Sequence, residues 1–143
     1  MLTLEHDSGA GQLAQAFGNA DARLKLLEAR ISRGETPPLA DTVDQAIALT
    51  RDLMTACIVD RGKKPVPDLT ADLLEVFKAL AKGEPSWHAI RDNCRELVYY
   101  RNCINMERQD ALPVVPEKMA IRTARHVYLY VRTRCVQDGR LQD

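Results

Sequence analysis

The chain has 143 residues, of which 45% are hydrophobic and 28% are charged, a composition typical of one globular domain. Its 20 Lys and Arg residues balance its 20 Asp and Glu residues, so the formal charge at pH 7 is zero. A chain without net charge has no global field that draws it onto nucleic acid or an anionic membrane. Any anionic partner must therefore be met by a local patch.

The four cysteines form no C-x-x-C pair and have no histidine at metal-ligand spacing: Cys57, Cys94, Cys103 and Cys135. We therefore expect free thiols within helices, and neither a metal nor a cofactor. The first residues lack the basic and apolar regions of a secretory signal, and no stretch approaches the roughly 20 apolar residues of a membrane span. These features predict a cytoplasmic protein without a membrane partner.

Apolar residues recur at helical spacing along the whole chain, and the alternation typical of strands is absent. The predicted fold class is all-α. We expect a single-domain helical bundle over residues 1–143, built from four long helices plus a short one, with residues 1–7 and 138–143 as disordered tails.

The first two helices are predicted from their apolar stripes and end signals. The first runs from about Ser8 or Gly11 to Arg33, before a glycine. The sequence Thr42-Val-Asp-Gln45 fits a capping box that opens the second helix, and Gly62 ends it.

The remaining helices follow a loop at Arg61-Gly-Lys-Lys64, whose cationic side chains are expected to be solvated. The short third helix carries Leu73, Val76, Phe77 and Leu80. The fourth is predicted from Trp87, with Ser86 as its cap, to about Arg108. Pro116 begins the fifth, which ends near Cys135.

Arg101 falls at the centre of the apolar stripe of the fourth helix. A charged group facing a core must be paired, hydrogen-bonded or able to reach solvent. In one interpretation, its stem lies over apolar neighbours near a helix end, with or without an ion pair to an acid on another helix. In the other, Arg101 lines a polar notch with Asn102 and Asn105 that binds a phosphate or another polar ligand.

The fifth helix carries a basic face opposite its core stripe, formed by Arg122, Arg125, His126 and Arg132, with Leu129 among them. This face is suited to RNA phosphates, an acidic partner helix or a second subunit. The alternative is a solvated face balanced by the more acidic first part of the chain.

The outer side of the fourth helix groups Tyr99, Cys103 and Met106 into a second apolar strip. A helix with two apolar sides needs two partners, and in a small bundle the second is often a symmetry mate. We therefore expect a homodimer with this strip, and Leu129 of the fifth helix, at the partner interface. The alternative is that the first or third helix covers the strip.

The segment Glu96-Leu-Val-Tyr-Tyr-Arg-Asn-Cys-Ile-Asn-Met106, followed by a short loop and a last long helix, resembles the HEPN superfamily. The resemblance covers about the last fifty residues. It implies a four-helix bundle, often dimeric, of the kind found in RNA-cleaving toxins and defence proteins. Arg101-Asn102 matches the start of the family motif, in which an Arg and a polar residue precede a His.

The family's histidine would stand four to six residues after Asn102, where this chain has Met106, Glu107 and Arg108. Methionine cannot transfer a proton at neutral pH. The resemblance then implies a member that has lost ribonuclease chemistry.

Three hypotheses follow for the function. The first is a non-catalytic helical interaction module that binds RNA or a protein partner, within a defence or regulatory assembly. The second is a metal-independent ribonuclease that uses Arg101 and Asn102, with His126 brought in from the fifth helix. The third is a small helical subunit or chaperone of a larger complex.

Overall fold

The computed structural model describes the backbone of residues 2–143 and the side chains of residues 11–143. Across this described backbone there are five α-helices and two short 3-10 helices, and no strand: α1 Leu2–Ser32, α2 Leu39–Asp60, α3 Leu73–Ala81, α4 Arg91–Asn105 and α5 Pro116–Gln137, with the 3-10 helices at Pro85–Ile90 and Gln109–Ala111. The predicted all-α fold is confirmed. No helix among the described residues is long and apolar enough to cross a membrane.

The helices α2 and α5 form the centre of the bundle. They run parallel, since Cys57 near the C-terminal end of α2 is a neighbour of Cys135 near the C-terminal end of α5. α1 packs on both of these helices, and α4 packs on the same two helices. α3 lies across α2 and α4. One continuous core fills the space between them, and its largest fully buried side chains include Leu24, Ile47, Met54, Leu73, Leu80, Trp87 and Leu97.

α1 and α4 run antiparallel to the central pair. Ser32 at the end of α1 lines a groove with Lys118 near the start of α5. Ser86, which precedes α4, accepts a hydrogen bond at its carbonyl from the Tyr130 hydroxyl, 3.0 Å away near the end of α5. One end of the bundle therefore holds the last turns of α1 and α4 together with the first turns of α2 and α5.

The structure describes backbone in both of the segments that were predicted to be tails. No proline interrupts residues 2–32, and α1 begins at Leu2 instead of Ser8 or Gly11. Residue 1 and the side chains of residues 1–10 lie outside the described part. At the other end, Arg140 donates hydrogen bonds to the backbone carbonyl and to the carboxylate of Asp60, at 3.2 and 2.9 Å. The beginning of the segment 138–143 is thus attached to α2.

α2 begins three residues before the predicted capping box. Pro38 is its N-cap, and Thr42 lies inside the first turn, where its buried hydroxyl donates to the Pro38 carbonyl at 2.7 Å. A threonine hydroxyl that donates to the carbonyl four residues earlier has its hydrogen bond within the helix itself. The polar side chain at this position is therefore not a cap.

α4 is shorter than predicted at both ends. Pro85 opens a 3-10 turn before Ser86 can act as a cap, and the α-helix proper starts at Arg91. Its C-terminal end is closed at Glu107, which has a φ of 57°. The Arg108 N–H donates to the Cys103 carbonyl at 2.7 Å, which satisfies a carbonyl that the ending helix leaves free.

Candidate functional site

Arg101 lies in the last turns of α4, and its side chain is partly buried. Within residues 11–143, its buried Nε has no hydrogen-bond partner, and no carboxylate forms an ion pair with its guanidinium. The optional acid on another helix is therefore not found among the described side chains, while the position of Arg101 near the end of α4 is as the first interpretation expected. Asn102 and Asn105 beside it are exposed.

Arg125 of the predicted basic face is held by two carboxylates of α1. It donates to Glu28 at 2.7 and 3.0 Å and to Asp21 at 2.8 Å. The hydrogen bond from Arg125 lowers the pKa of Asp21 against the opposing effect of burial. The positive charge of Arg125 is thus used to fasten α5 to α1.

The other members of the basic face remain nearer the solvent. Arg122 and His126 are exposed, and Arg122 forms no ion pair with the described residues. Arg132 is 3.4 Å from the carboxylate of Asp143. Leu129 is 53% exposed, as an interface residue must be in a free monomer.

The three residues of the predicted apolar strip on α4 do not share one exposed surface. Cys103 is buried, with 6% of its surface exposed, so it is not available to a partner. Tyr99 is 49% exposed, and its hydroxyl donates to the Ala111 carbonyl at 3.2 Å. Met106 is 71% exposed. Only Tyr99 and Met106 of this strip therefore reach the surface.

A partly buried polar network joins α4 to α5 and fixes their register. Glu96 accepts hydrogen bonds from the Tyr100 hydroxyl at 2.5 Å and from the Thr123 hydroxyl at 3.0 Å. Burial and the bond to Glu96 raise the pKa of Tyr100 well above its usual range. Sequence reasoning missed this network, because Glu96 and Thr123 lie on different helices and their hydrogen bond is seen only once α4 is packed against α5.

The register places the candidate residues along the bundle axis. Arg101 lies five residues beyond Glu96 and is level with Lys118, since α4 and α5 are antiparallel. His126 lies three residues from Thr123 in the opposite direction. At 1.5 Å per residue, Arg101 and His126 are about 12 Å apart along the axis. The structure therefore does not bring these two residues together.

The end of α5 that holds Lys118 also carries a groove of about 220 Å³ against α1. Lys118 and Arg122 line it, and neither forms an ion pair within the described side chains. Its apolar floor includes Ile31 and Ile121. Unpaired cations thus gather at the same end of the bundle as Arg101.

The opposite end is closed by charges that the sequence did not reveal, which we call the Glu84 cluster: Arg61, Lys63, Glu84, Arg134 and Asp138. Glu84 is 2.7 Å from the Lys63 ammonium, 2.8 Å from the Arg134 guanidinium and 3.4 Å from that of Arg61. Arg61 also donates to Asp138 at 2.7 Å. The Arg61 side chain is only 7% exposed, so the prediction of a solvated cationic loop was wrong at this residue.

The described residues contain no group of three or more Cys, His, Asp or Glu side chains placed to hold a metal ion. No protein-family model matches the chain, and neither a curated protein nor a solved structure does. The resemblance of about the last fifty residues to the HEPN superfamily stays a prediction.

Proposed function

We propose that the protein is a non-catalytic, HEPN-like helical module of the cytoplasm that binds single-stranded RNA. The binding surface is the end of the bundle where α4 finishes and α5 begins. Arg101 is the observation that carries the proposal, because its partly buried guanidinium forms no ion pair with the described side chains. An RNA phosphate supplies the opposite charge.

The residues around Arg101 support RNA over an acidic protein. Lys118 and Arg122 add two cations without an ion pair among the described side chains, at the same end of the bundle as Arg101 but in the groove on the α1 side of α5. Asn102 and Asn105 are exposed amides that can bond base edges. Tyr99 presents about half of its surface, on which a base can stack. This set combines backbone neutralisation with base contacts, as single-stranded RNA requires.

Among the described residues no histidine lies beside Arg101, which favours binding without cleavage. Met106 is exposed at the position where the resemblance calls for a histidine. His126 is about 12 Å away along the axis, whereas a general acid or base must be within roughly 3 Å of the proton it transfers. We therefore expect no RNA turnover by the purified protein without metal ions.

The test is fluorescence anisotropy of a labelled single-stranded oligoribonucleotide at a series of salt concentrations. Affinity should fall with salt, with a slope of roughly 0.7 in log K per log salt for each phosphate neutralised. The variants Arg101→Met and Arg122→Gln should each weaken binding and flatten this slope. Arg23→Gln is the matched control, because Arg23 is an arginine of α1 already paired with Asp52 at 3.1 Å.

Salt-independent binding, or an equal loss in Arg23→Gln, would contradict the proposal. The ribonuclease hypothesis is tested in the same samples. Turnover that survives stringent purification and disappears in both Arg101→Ala and His126→Ala would replace binding by cleavage as the function.

The apolar surface near the α4–α5 loop supports a homodimer as the working form. Met106, Val114 and Val115 are 71%, 89% and 49% exposed. Exposed aliphatic side chains that follow one another around a loop are typical of a surface that meets a partner. A protein partner of another kind, as in the subunit hypothesis, would use the same surface.

A further inference from the structure

Two of the four cysteines are neighbours between the two central helices, near the C-terminal ends of α2 and α5. The Sγ atoms of Cys57 on α2 and Cys135 on α5 are 3.9 Å apart, and both side chains are buried. A disulfide has an S–S distance of about 2.0 Å, so the two sulfurs must approach by roughly 2 Å to bond. Cys94 and Cys103 are also buried, but neither is paired with another cysteine among the described residues.

The surroundings of the pair distinguish the two thiols. The bond from the Cys57 thiol and the Arg61 guanidinium, acting against burial, lower the pKa of Cys135 to about 7. The same bond and burial raise the pKa of Cys57 well above its usual range. Cys94, a lone thiol, has its pKa raised to about 12 by burial. These opposite shifts favour Cys135 as the attacking thiol and Cys57 as the resolving thiol.

We propose that Cys57 and Cys135 form a redox-active pair, which a peroxide oxidises to a disulfide that joins α2 to α5. This site is separate from the RNA-binding surface, since it lies at the end of the bundle closed by the Glu84 cluster. The proposal is independent of the proposed function.

The chemistry has two steps. The Cys135 thiolate attacks one oxygen of hydrogen peroxide, the O–O bond breaks, and hydroxide leaves while Cys135 becomes a sulfenic acid. The Cys57 sulfur then attacks the Cys135 sulfur, the S–O bond breaks, and the hydroxyl group leaves as water with the proton of the Cys57 thiol. Overall, two thiols lose two electrons and one peroxide is reduced to two waters.

Peroxide reaches the pair when the Glu84 cluster opens locally. The oxidant is close to water in size, and Arg61, which lies beside Cys135, is also the residue that links Glu84 to Asp138. The disulfide then ties the two central helices together at their C-terminal ends. The oxidised bundle is expected to need more denaturant to unfold than the reduced one, because the cross-link constrains the unfolded chain.

Peptide mapping of the full chain tests the proposal without any variant. The reduced protein is treated with hydrogen peroxide under native conditions, its free thiols are alkylated, and it is digested with trypsin without reduction. The four cysteines fall on separate tryptic peptides, 52–61, 92–95, 102–108 and 135–140. We expect peptides 52–61 and 135–140 to be joined and the other two to be alkylated, with dithiothreitol reversing the link.

Two variants test the roles of the thiols. Cys57→Ala should leave a sulfenic acid at Cys135 that dimedone traps, while Cys94→Ala, which removes an equally buried lone thiol, should still form the link. The proposal is wrong if the link is absent from the native wild-type protein, forms only in urea, or is accompanied by equal oxidation of Cys94 and Cys103.

Discussion

The guanidinium of Arg134 lies over the ring of Trp87, with its Cζ 4.4 Å from the ring centroid. The guanidinium of Arg61 is 5.1 Å from the same centroid. Two cations on one fully buried indole repel each other unless an anion lies between them, and Glu84 bonds to both. The Glu84 carboxylate therefore stabilises the packing of both arginines on Trp87 at this end of the bundle.

Replacing Glu84 with Gln should destabilise the protein by about 2 kcal/mol, because the arginines and Lys63 lose their shared anion while remaining largely buried. Urea unfolding followed by circular dichroism measures the change. Glu35→Gln is the control, since Glu35 pairs with Arg33 at an exposed site where no measurable loss is expected. Equal stability of the two variants would show that the Glu84 cluster contributes nothing.

Removing the charge of Arg101 should have the opposite effect. Arg101→Met keeps most of the apolar stem and eliminates a partly buried cation without a described partner, so stability should be unchanged or rise by up to about 1 kcal/mol. Arg134→Met, which breaks the bond to Glu84, should instead destabilise the bundle. A clear loss of stability in Arg101→Met would reveal that this arginine holds the fold together.

Acid should unfold the protein through carboxylates that the fold keeps ionised. Arg61 lowers the pKa of Asp138, and Lys63, Arg61 and Arg134 together lower the pKa of Glu84 against the effect of its burial. A group with a depressed folded-state pKa stabilises the protein above its unfolded pKa, and this contribution is lost as the pH falls through the folded value. The free energy of unfolding should therefore decline below about pH 5.

The variant Glu84→Gln provides the comparison for that pH series. It lacks one of the two carboxylates of the Glu84 cluster whose pKa is lowered, so its stability should fall less steeply over the same range. If the free energy of unfolding falls equally steeply with pH in the variant and the wild type, Glu84 is not one of the carboxylates responsible for the loss of stability in acid.

The proposed homodimer should be detectable in solution. Sedimentation or light scattering should give about twice the mass of the 16.0 kDa chain, and Met106→Glu together with Val114→Glu should yield a folded monomer, because both side chains are exposed. Leu69→Glu is the control, since Leu69 is 90% exposed in the loop between α2 and α3. A wild-type protein that stays monomeric at high micromolar concentration removes the dimer.

The sequence predicted the helices because apolar spacing depends on the chain alone. Their C-terminal ends were recognised where Gly34 and Gly62 supply the left-handed residue, with φ values of 79° and 68°. The end of α4 was missed, since Glu107 takes that conformation without being a glycine. Helix ends built from unusual residues depend on tertiary context, and no local pattern reports it.

The candidate site was predictable only in part, for a related reason. Arg101 was recognised from its place on one helix, which requires no partner. Arg125 looked equally free on its own helix, yet Asp21 and Glu28 lie 104 and 97 residues before it and hold its guanidinium. Pairing between distant segments decides which cations are available to a ligand, and a single sequence does not contain it.

The parallel arrangement of α2 and α5 also bears on how the chain reaches its native state. Residues 61–115 separate the two helices, so their contact closes a long loop before the surrounding core can form. Folding rates fall as the average separation of contacting residues grows. We expect this bundle to fold more slowly than one of equal length whose neighbouring helices are all joined by short turns.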